Sequence, residues 1–252
     1  VYNGVSSVTR GVSAAYVNPN WTGALANGSD IAILKLDAPV TTIQGFNIST
    51  TNDVGKNTLI MGYGSTGTGA SGLATNWDDW GWAHWGRNEA DVDLQTFDQG
   101  LWPGAYTYYG NEYIYDFDSG SSTNNTLGIL APFSGGMWTS SNGLGVEEAL
   151  IAGGDSGGGD FIWTGTEWRV SGVHSWGGEI CGGPSDSYDL GCDVAPGVLA
   201  SDGDLAASTA VFSHAAWINA VTGVPEPETY AMMLLGLGGL GMWRRRQQRN
   251  AI

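Results

Sequence analysis

Short apolar runs broken by turn-forming residues constrain this chain more than any other feature. Asn57-Thr58-Leu59-Ile60-Met61, Glu112-Tyr113-Ile114-Tyr115, Asp160-Phe161-Ile162-Trp163 and Glu167-Trp168-Arg169-Val170 are each too short for a stable helix, rich in β-branched and aromatic residues, and bounded by Gly, Asn, Ser and Asp clusters. The pattern predicts an all-β fold. Gly165, inside Trp163-Thr164-Gly165-Thr166-Glu167, marks a hairpin turn. Only Ala210 to Thr222 and the C-terminal tail read as helical. Residues 65–110, with Trp77, Trp80, Trp82 and Trp85 among Gly and Asp, read as one long loop. Those indoles suit either satellite packing or a carbohydrate-stacking platform.

Three segments carry candidate chemistry. Gly153-Gly154-Asp155-Ser156-Gly157-Gly158-Gly159 sets a serine between glycines, as a nucleophile on a tight turn requires, with backbone N–H groups able to approach a substrate carbonyl oxygen. A Gly-rich surface loop is the competing reading in a chain with 41 glycines. Asp30 opens the apolar strand Ile31-Ala32-Ile33-Leu34-Lys35-Leu36, where a carboxylate needs a partner. Val170-Ser171-Gly172-Val173-His174-Ser175-Trp176-Gly177-Gly178 reads as a strand ending in a small-residue edge to which an extended peptide could add.

These segments, in this order, resemble the trypsin/chymotrypsin-like serine peptidases, with Val17 to Trp21, Met61-Gly62-Tyr63-Gly64, Pro196-Gly197-Val198 and Val211 to Ile218 as further landmarks. The resemblance covers residues from about 10 to 220. It implies a double β-barrel with an incomplete first barrel (residues 1–50), a C-terminal barrel (residues 55–220) and a C-terminal helix. It makes Ser156 the nucleophile and Asp30 the group that orients a histidine, with the N–H groups of Gly154 and Ser156 forming an oxyanion hole. Ser175, Trp176 and Gly177 would hold the substrate main chain, and Gly177 and Gly197 would wall the specificity pocket. Leu150, six residues before the nucleophile, would sit at its base and favour an apolar or small side chain over Lys or Arg. Asp155 would pair with a newly cut N-terminal amine.

The family's chain order is histidine, aspartate, serine, yet no histidine precedes Asp30. His84, His174 and His214 all follow it and read as surface or core residues. The expectation is therefore an N-terminally truncated serine endopeptidase, inactive alone, whose histidine lies upstream. The competing classes are a non-catalytic surface or matrix peptide-binding protein. No cofactor and no metal site are expected: Asp116 and Asp118 in Asp-Phe-Asp-Ser-Gly make too short a motif to assign calcium.

The C-terminus carries a separate signal over residues 221–252. Val224-Pro225-Glu226-Pro227 is followed by an apolar stretch from Tyr230 to Trp243 and by Arg244-Arg245-Arg246 and Arg249. The stretch is shorter than the roughly 20 residues that comfortably span a bilayer, and the arginines would stay on the cytoplasmic side. This tail resembles the PEP-CTERM sorting signal of Gram-negative bacteria. It implies export, a transient inner-membrane stage through the tail, an exosortase-type processing enzyme acting near Pro225, Glu226 and Pro227, and a destination at the cell surface or in extracellular matrix.

Four of nine basic residues lie in that tail, leaving five in residues 1–229 against all 25 acidic residues. Such a surface repels nucleic acid and anionic lipid, and reads as a solubility feature. A protein or peptide substrate is the expected partner. In an oxidising compartment Cys181 and Cys192 would pair, and zinc is disfavoured because no CxxC spacing or histidine cluster accompanies them.

Overall fold

A computed structural model describes residues 7–74, 81–105, 107–180 and 191–223. The chain divides into two compact units, Val1–His214 and Ala215–Ile252. The first is mostly β-sheet. Strands β1 (Val12–Val17) and β2 (Ala32–Leu36) form an antiparallel pair of their own. The short β3 (Asn47–Ile48) instead joins the principal sheet. That sheet also contains β4 (Asn57–Gly62), β7 (His84–Glu89), β8 (Val92–Asp93), β9 (Glu112–Asp116), β10 (Gly159–Trp163), β11 (Trp168–Gly178) and β12 (Leu205–Ala210). Its order is β7-β4-β10-β11-β12-β9-β8, with β3 parallel to β11. A third small sheet pairs β5 (Gly67–Thr68) with β6 (Gly72–Leu73).

The principal sheet curls into a half-barrel, and polar side chains help it to do so. The buried Asn88 of β7 donates across the barrel to the Asp116 carbonyl of β9 at 2.7 Å, joining the first strand of the sheet order to the next-to-last. Strand β9 is buried on both faces: Tyr113 and Tyr115 pack with Ala90 and Ala210, while Ile114 points into the other cluster with Val92, Leu94, Phe97, Leu127, Leu130 and Trp138. After Leu205, which packs into that second cluster, its neighbour β12 consists of Ala, Ser and Thr, all buried, as close packing on both faces requires.

The hairpin at Gly165 is present, with Gly165 at φ +96° and Trp163 opposite Trp168. The long-loop reading of residues 65–110 is corrected. Beyond β5 to β8 this segment holds helix α1 (Leu94–Leu101), capped by Asp93 accepting from the Thr96 N–H at 2.9 Å. Leu94 and Phe97 are its buried apolar face. A second helix, α2 (Thr126–Leu130), is capped by Asn125. Trp82 and Trp85 are exposed, whereas Trp77 and Trp80 lie outside the described residues. In the second unit Ala215–Thr222 forms α3. Among the described residues no helix is long and apolar enough to cross a membrane.

The expectation of a double barrel meets one curled half-barrel and a separate two-stranded sheet. Val12, Val17 and Leu34 of β1 and β2 stay exposed, because no second layer among the described residues covers that sheet.

Candidate active site

The Gly-rich heptapeptide forms the turn that leads into β10. Gly154 (φ +96°) and Gly157 (φ +78°) take left-handed conformations that a side chain would strain, and Ser156 stands exposed between them. The Asp155 N–H bonds the Ala152 carbonyl at 3.0 Å and the Gly158 N–H bonds the Asp155 carbonyl at 2.8 Å. The N–H groups of Gly154 and Ser156 have no hydrogen-bond partner among the described residues. These two unpaired N–H groups flank the exposed Ser156 hydroxyl.

Asp155 is the anchor of this turn. Its Oδ1 accepts from the Gly64 N–H at 2.7 Å and meets His84 Nε2 at 3.1 Å, while Oδ2 accepts from the Ala152 N–H at 2.9 Å. Both oxygens are thus engaged within the chain, in the place where the resemblance puts a newly cut amine. Gly62 has to be glycine here, since a Cβ would lie 1.9 Å from Asp155 Oδ1. His174 supports the turn from beneath: its Nδ1 faces the Asp155 carbonyl at 3.2 Å and its Nε2 meets Asp160 Oδ1 at 2.8 Å, with Tyr115 donating to Asp160 Oδ2 at 3.1 Å. Both members of the His174–Asp160 pair are fully buried. Burial is the largest influence on His174 and opposes its protonation, but the charge and hydrogen bond of Asp160 together with Asp155 outweigh it and raise the imidazole above its ordinary range.

Asp30 sits at the mouth of β2, and Ser175 Oγ donates to its Oδ2 at 2.9 Å across 145 residues of sequence. Thr209 of β12 donates to the Asp30 carbonyl, also at 2.9 Å. Behind Asp30, the buried Glu112 accepts from the Trp176 indole N–H at 2.7 Å. Burial pushes Glu112 up to about 8, the Trp176 N–H opposing and the Asp30 charge adding to the shift.

Two cavities meet at Ser156. One, about 840 Å³, is a largely apolar cleft walled by Ile43, Phe46, Met61, Tyr63, His84 and Phe161. The other, about 270 Å³, is lined by Leu150, Ser175, Trp176, Gly177, Leu199 and Leu205, among others. Ser156, Leu150, Ser175, Trp176 and Gly177 therefore converge on one cavity, with Asp30 one hydrogen bond behind it. Gly197 does not line that cavity; it lies in the loop before β12, its N–H on Glu179 Oε2 at 3.1 Å.

None of the three histidines is hydrogen-bonded to Ser156 or Asp30 in the described residues. His214 is held by Asn18 Nδ2 at 3.0 Å and by the Gly28 carbonyl at 2.6 Å, and burial lowers its basicity. The part that His84 and His174 play in holding Asp155 escaped the sequence reading. Contacts across 71 and 19 residues to a turn carry no spacing signal. Cys192 is buried and disulfide-bonded; Cys181, the other cysteine of the sequence, lies outside the described residues, as do Pro225, Glu226, Pro227 and the apolar tail.

A search of curated proteins finds no match. A family model of the PEP-CTERM protein-sorting motif matches residues 223–246. The chain thus carries a PEP-CTERM sorting motif, which marks it for export and cell-surface sorting in a Gram-negative bacterium and for processing by an exosortase-type enzyme.

Proposed function

We propose that this protein is an exported, trypsin-like serine endopeptidase. Ser156 attacks the scissile carbonyl, the N–H groups of Gly154 and Ser156 receive the developing oxyanion, and Asp30 orients the imidazole that takes the Ser156 proton. The observation that carries the reading is the Ser175 Oγ to Asp30 Oδ2 hydrogen bond, which ties the acidic residue to the edge of the cavity that Ser156 lines. His84, His174 and His214 are each committed to other partners. The proposal accordingly assigns the base to a histidine outside these 252 residues, carried by the rest of a first barrel packed on the exposed β1–β2 sheet. A substrate main chain would lie along Ser175 to Gly177. The Leu150, Leu199 and Leu205 lining favours an apolar or small residue before the scissile bond.

A fluorophosphonate probe applied to the full-length secreted protein tests this. Labelling at Ser156 that disappears in S156A and falls sharply in D30N is the expected result, and a full-length protein that is never labelled sinks the enzyme reading. The commitment of all three histidines favours one alternative, a non-catalytic peptide-binding surface protein. That protein would bind peptides along Ser175 to Gly177 without taking up the probe.

A further inference from the structure

Behind the wall of the smaller cavity lies a group of carboxylates with no cationic partner. Glu179 follows β11, Asp193 follows the disulfide-bonded Cys192, and Asp204 immediately precedes β12; one oxygen from each lies within 4.8 Å of one from each of the others. Asp193 and Asp204 are more than nine-tenths buried. Every ion pair among the described residues engages other carboxylates, so nothing cationic balances these three.

One oxygen of each group is fixed by the loop itself. Asp193 Oδ1 accepts from the Ala195 N–H at 2.8 Å and from Ser201 Oγ at 2.7 Å; Asp204 Oδ2 accepts from the Ser201 N–H at 2.9 Å; Glu179 Oε2 accepts from the Gly197 N–H at 3.1 Å. The remaining oxygens of the two buried aspartates, Asp193 Oδ2 and Asp204 Oδ1, are buried with no hydrogen-bond partner. A buried carboxylate oxygen without a donor is costly, and two in one trio of like charge compound the cost. Backbone and serine donors therefore hold each carboxylate in orientation while leaving its other oxygen unpaired, as the first shell of a metal site requires.

We infer that Glu179, Asp193 and Asp204 form a binding site for a hard divalent cation, calcium in the first instance. All three ligands are oxygen, with neither nitrogen nor sulfur, a donor set that favours a hard cation over zinc. The ligands come from three separate points of the chain, a geometry tolerated by the large and flexible calcium sphere better than by magnesium. None of the three lines the cavity shared with Ser156, so an ion bound to them would lie outside that cavity, away from a substrate side chain. Their neighbours Gly178, Ala200 and Leu205 do line it. A bound ion would cross-link the end of β11, the loop after Cys192 and the start of β12, fixing that wall.

The test is calorimetric titration of the chelator-treated protein with calcium chloride, paired with thermal unfolding with and without calcium. One site is expected, with a dissociation constant on the order of 10⁻⁴ to 10⁻³ M, the range of extracellular calcium modules. A rise in Tm should accompany saturation. D204N and E179Q should each weaken binding by roughly tenfold or more through loss of ligand charge. Without calcium D204N should be at least as stable as the parent, because it removes one of three like charges; a variant that merely fails to fold would be less stable in both conditions. Absence of binding heat and of any calcium-dependent Tm shift overturns the inference. So does calcium binding that D204N and E179Q leave unchanged, which would put the ion elsewhere. Since the readout is binding, the outcome is independent of whether Ser156 is catalytic.

Discussion

Replacing His174 by alanine should cost more than any single change on the surface of this protein. The side chain is fully buried, its Nε2 lies 2.8 Å from Asp160 Oδ1, and its other ring nitrogen faces the Asp155 carbonyl at 3.2 Å. Without the ring, Asp160 keeps only the Tyr115 hydroxyl among the described residues, so a carboxylate remains buried without its charge partner. Breaking one side of such a pair costs about 3–5 kcal/mol. At a urea slope of roughly 2–3 kcal/mol/M that is a fall of about 1–2.5 M in the midpoint, a large part of the total stability of an ordinary domain. The double variant H174A/D160N removes the stranded charge and should recover part of the loss, giving a coupling energy of about 1 kcal/mol or more in the cycle. The pH dependence has a definite sign. His174 is raised above its unfolded value, so its contribution is fully present below about 6.5 and is lost as pH climbs through the higher folded value; the deficit of H174A should be larger at pH 6 than at pH 9. Tryptophan-fluorescence urea melts at both pH values decide it. An H174A deficit under 1 kcal/mol at pH 6, or strict additivity in the cycle, would refute the buried-pair argument.

His84 should matter through one hydrogen bond. H84A removes a donor from Asp155 Oδ1 but leaves the Gly64 and Ala152 N–H groups in place, and the ring is partly exposed, so the expected loss is about 1–2 kcal/mol. H84Q, which keeps an N–H donor, should restore most of it; equal urea midpoints for the two variants would mean that His84 acts only by packing. The protein as a whole should be more stable in mild acid than in mild alkali, contrary to common behaviour. Burial pushes Glu112 up to about 8 and Glu148 up to about 7, and burial with neighbouring carboxylates raises Asp91 and Asp118. Groups raised in the folded state contribute stability that is complete below their unfolded values, near 4, and that disappears as pH rises through the folded ones. Urea melts in chelator should therefore give a higher midpoint at pH 5 than at pH 8.5, and the reverse order would show that these carboxyls are ionised and compensated in the fold.

The legible parts of this structure are those whose causes are local. Asn57–Gly62, Glu112–Asp116 and Gly159–Trp163 are strands because β-branched and aromatic residues fill runs too short for a helix, and Gly165 closes its hairpin because it alone tolerates the turn. Helix α1 had local signals too, an Asp93 cap and Leu94, Phe97 and Leu101 at helical spacing, but eight residues ending near Gly100 were masked by the Trp- and Gly-rich sequence before them. The turn around Ser156 was legible in its glycines. Its supports were not: His84, Gly64, His174 and Asp160 converge on Asp155 or on each other from four strands and loops, and the hydrogen bonds joining them have no period. The acidic excess misled in a more instructive way. Read as a solvated surface, it conceals Asp91, Asp116, Asp118, Asp193 and Asp204, each more than nine-tenths buried. Composition counts charges without locating them, and a carboxylate that lies inside must be protonated, hydrogen-bonded or bound to a cation. Part of the negative charge of this protein therefore works against the fold at neutral pH, and the calcium titration and the alkaline melt ask the same physical question of two different carboxylate groups.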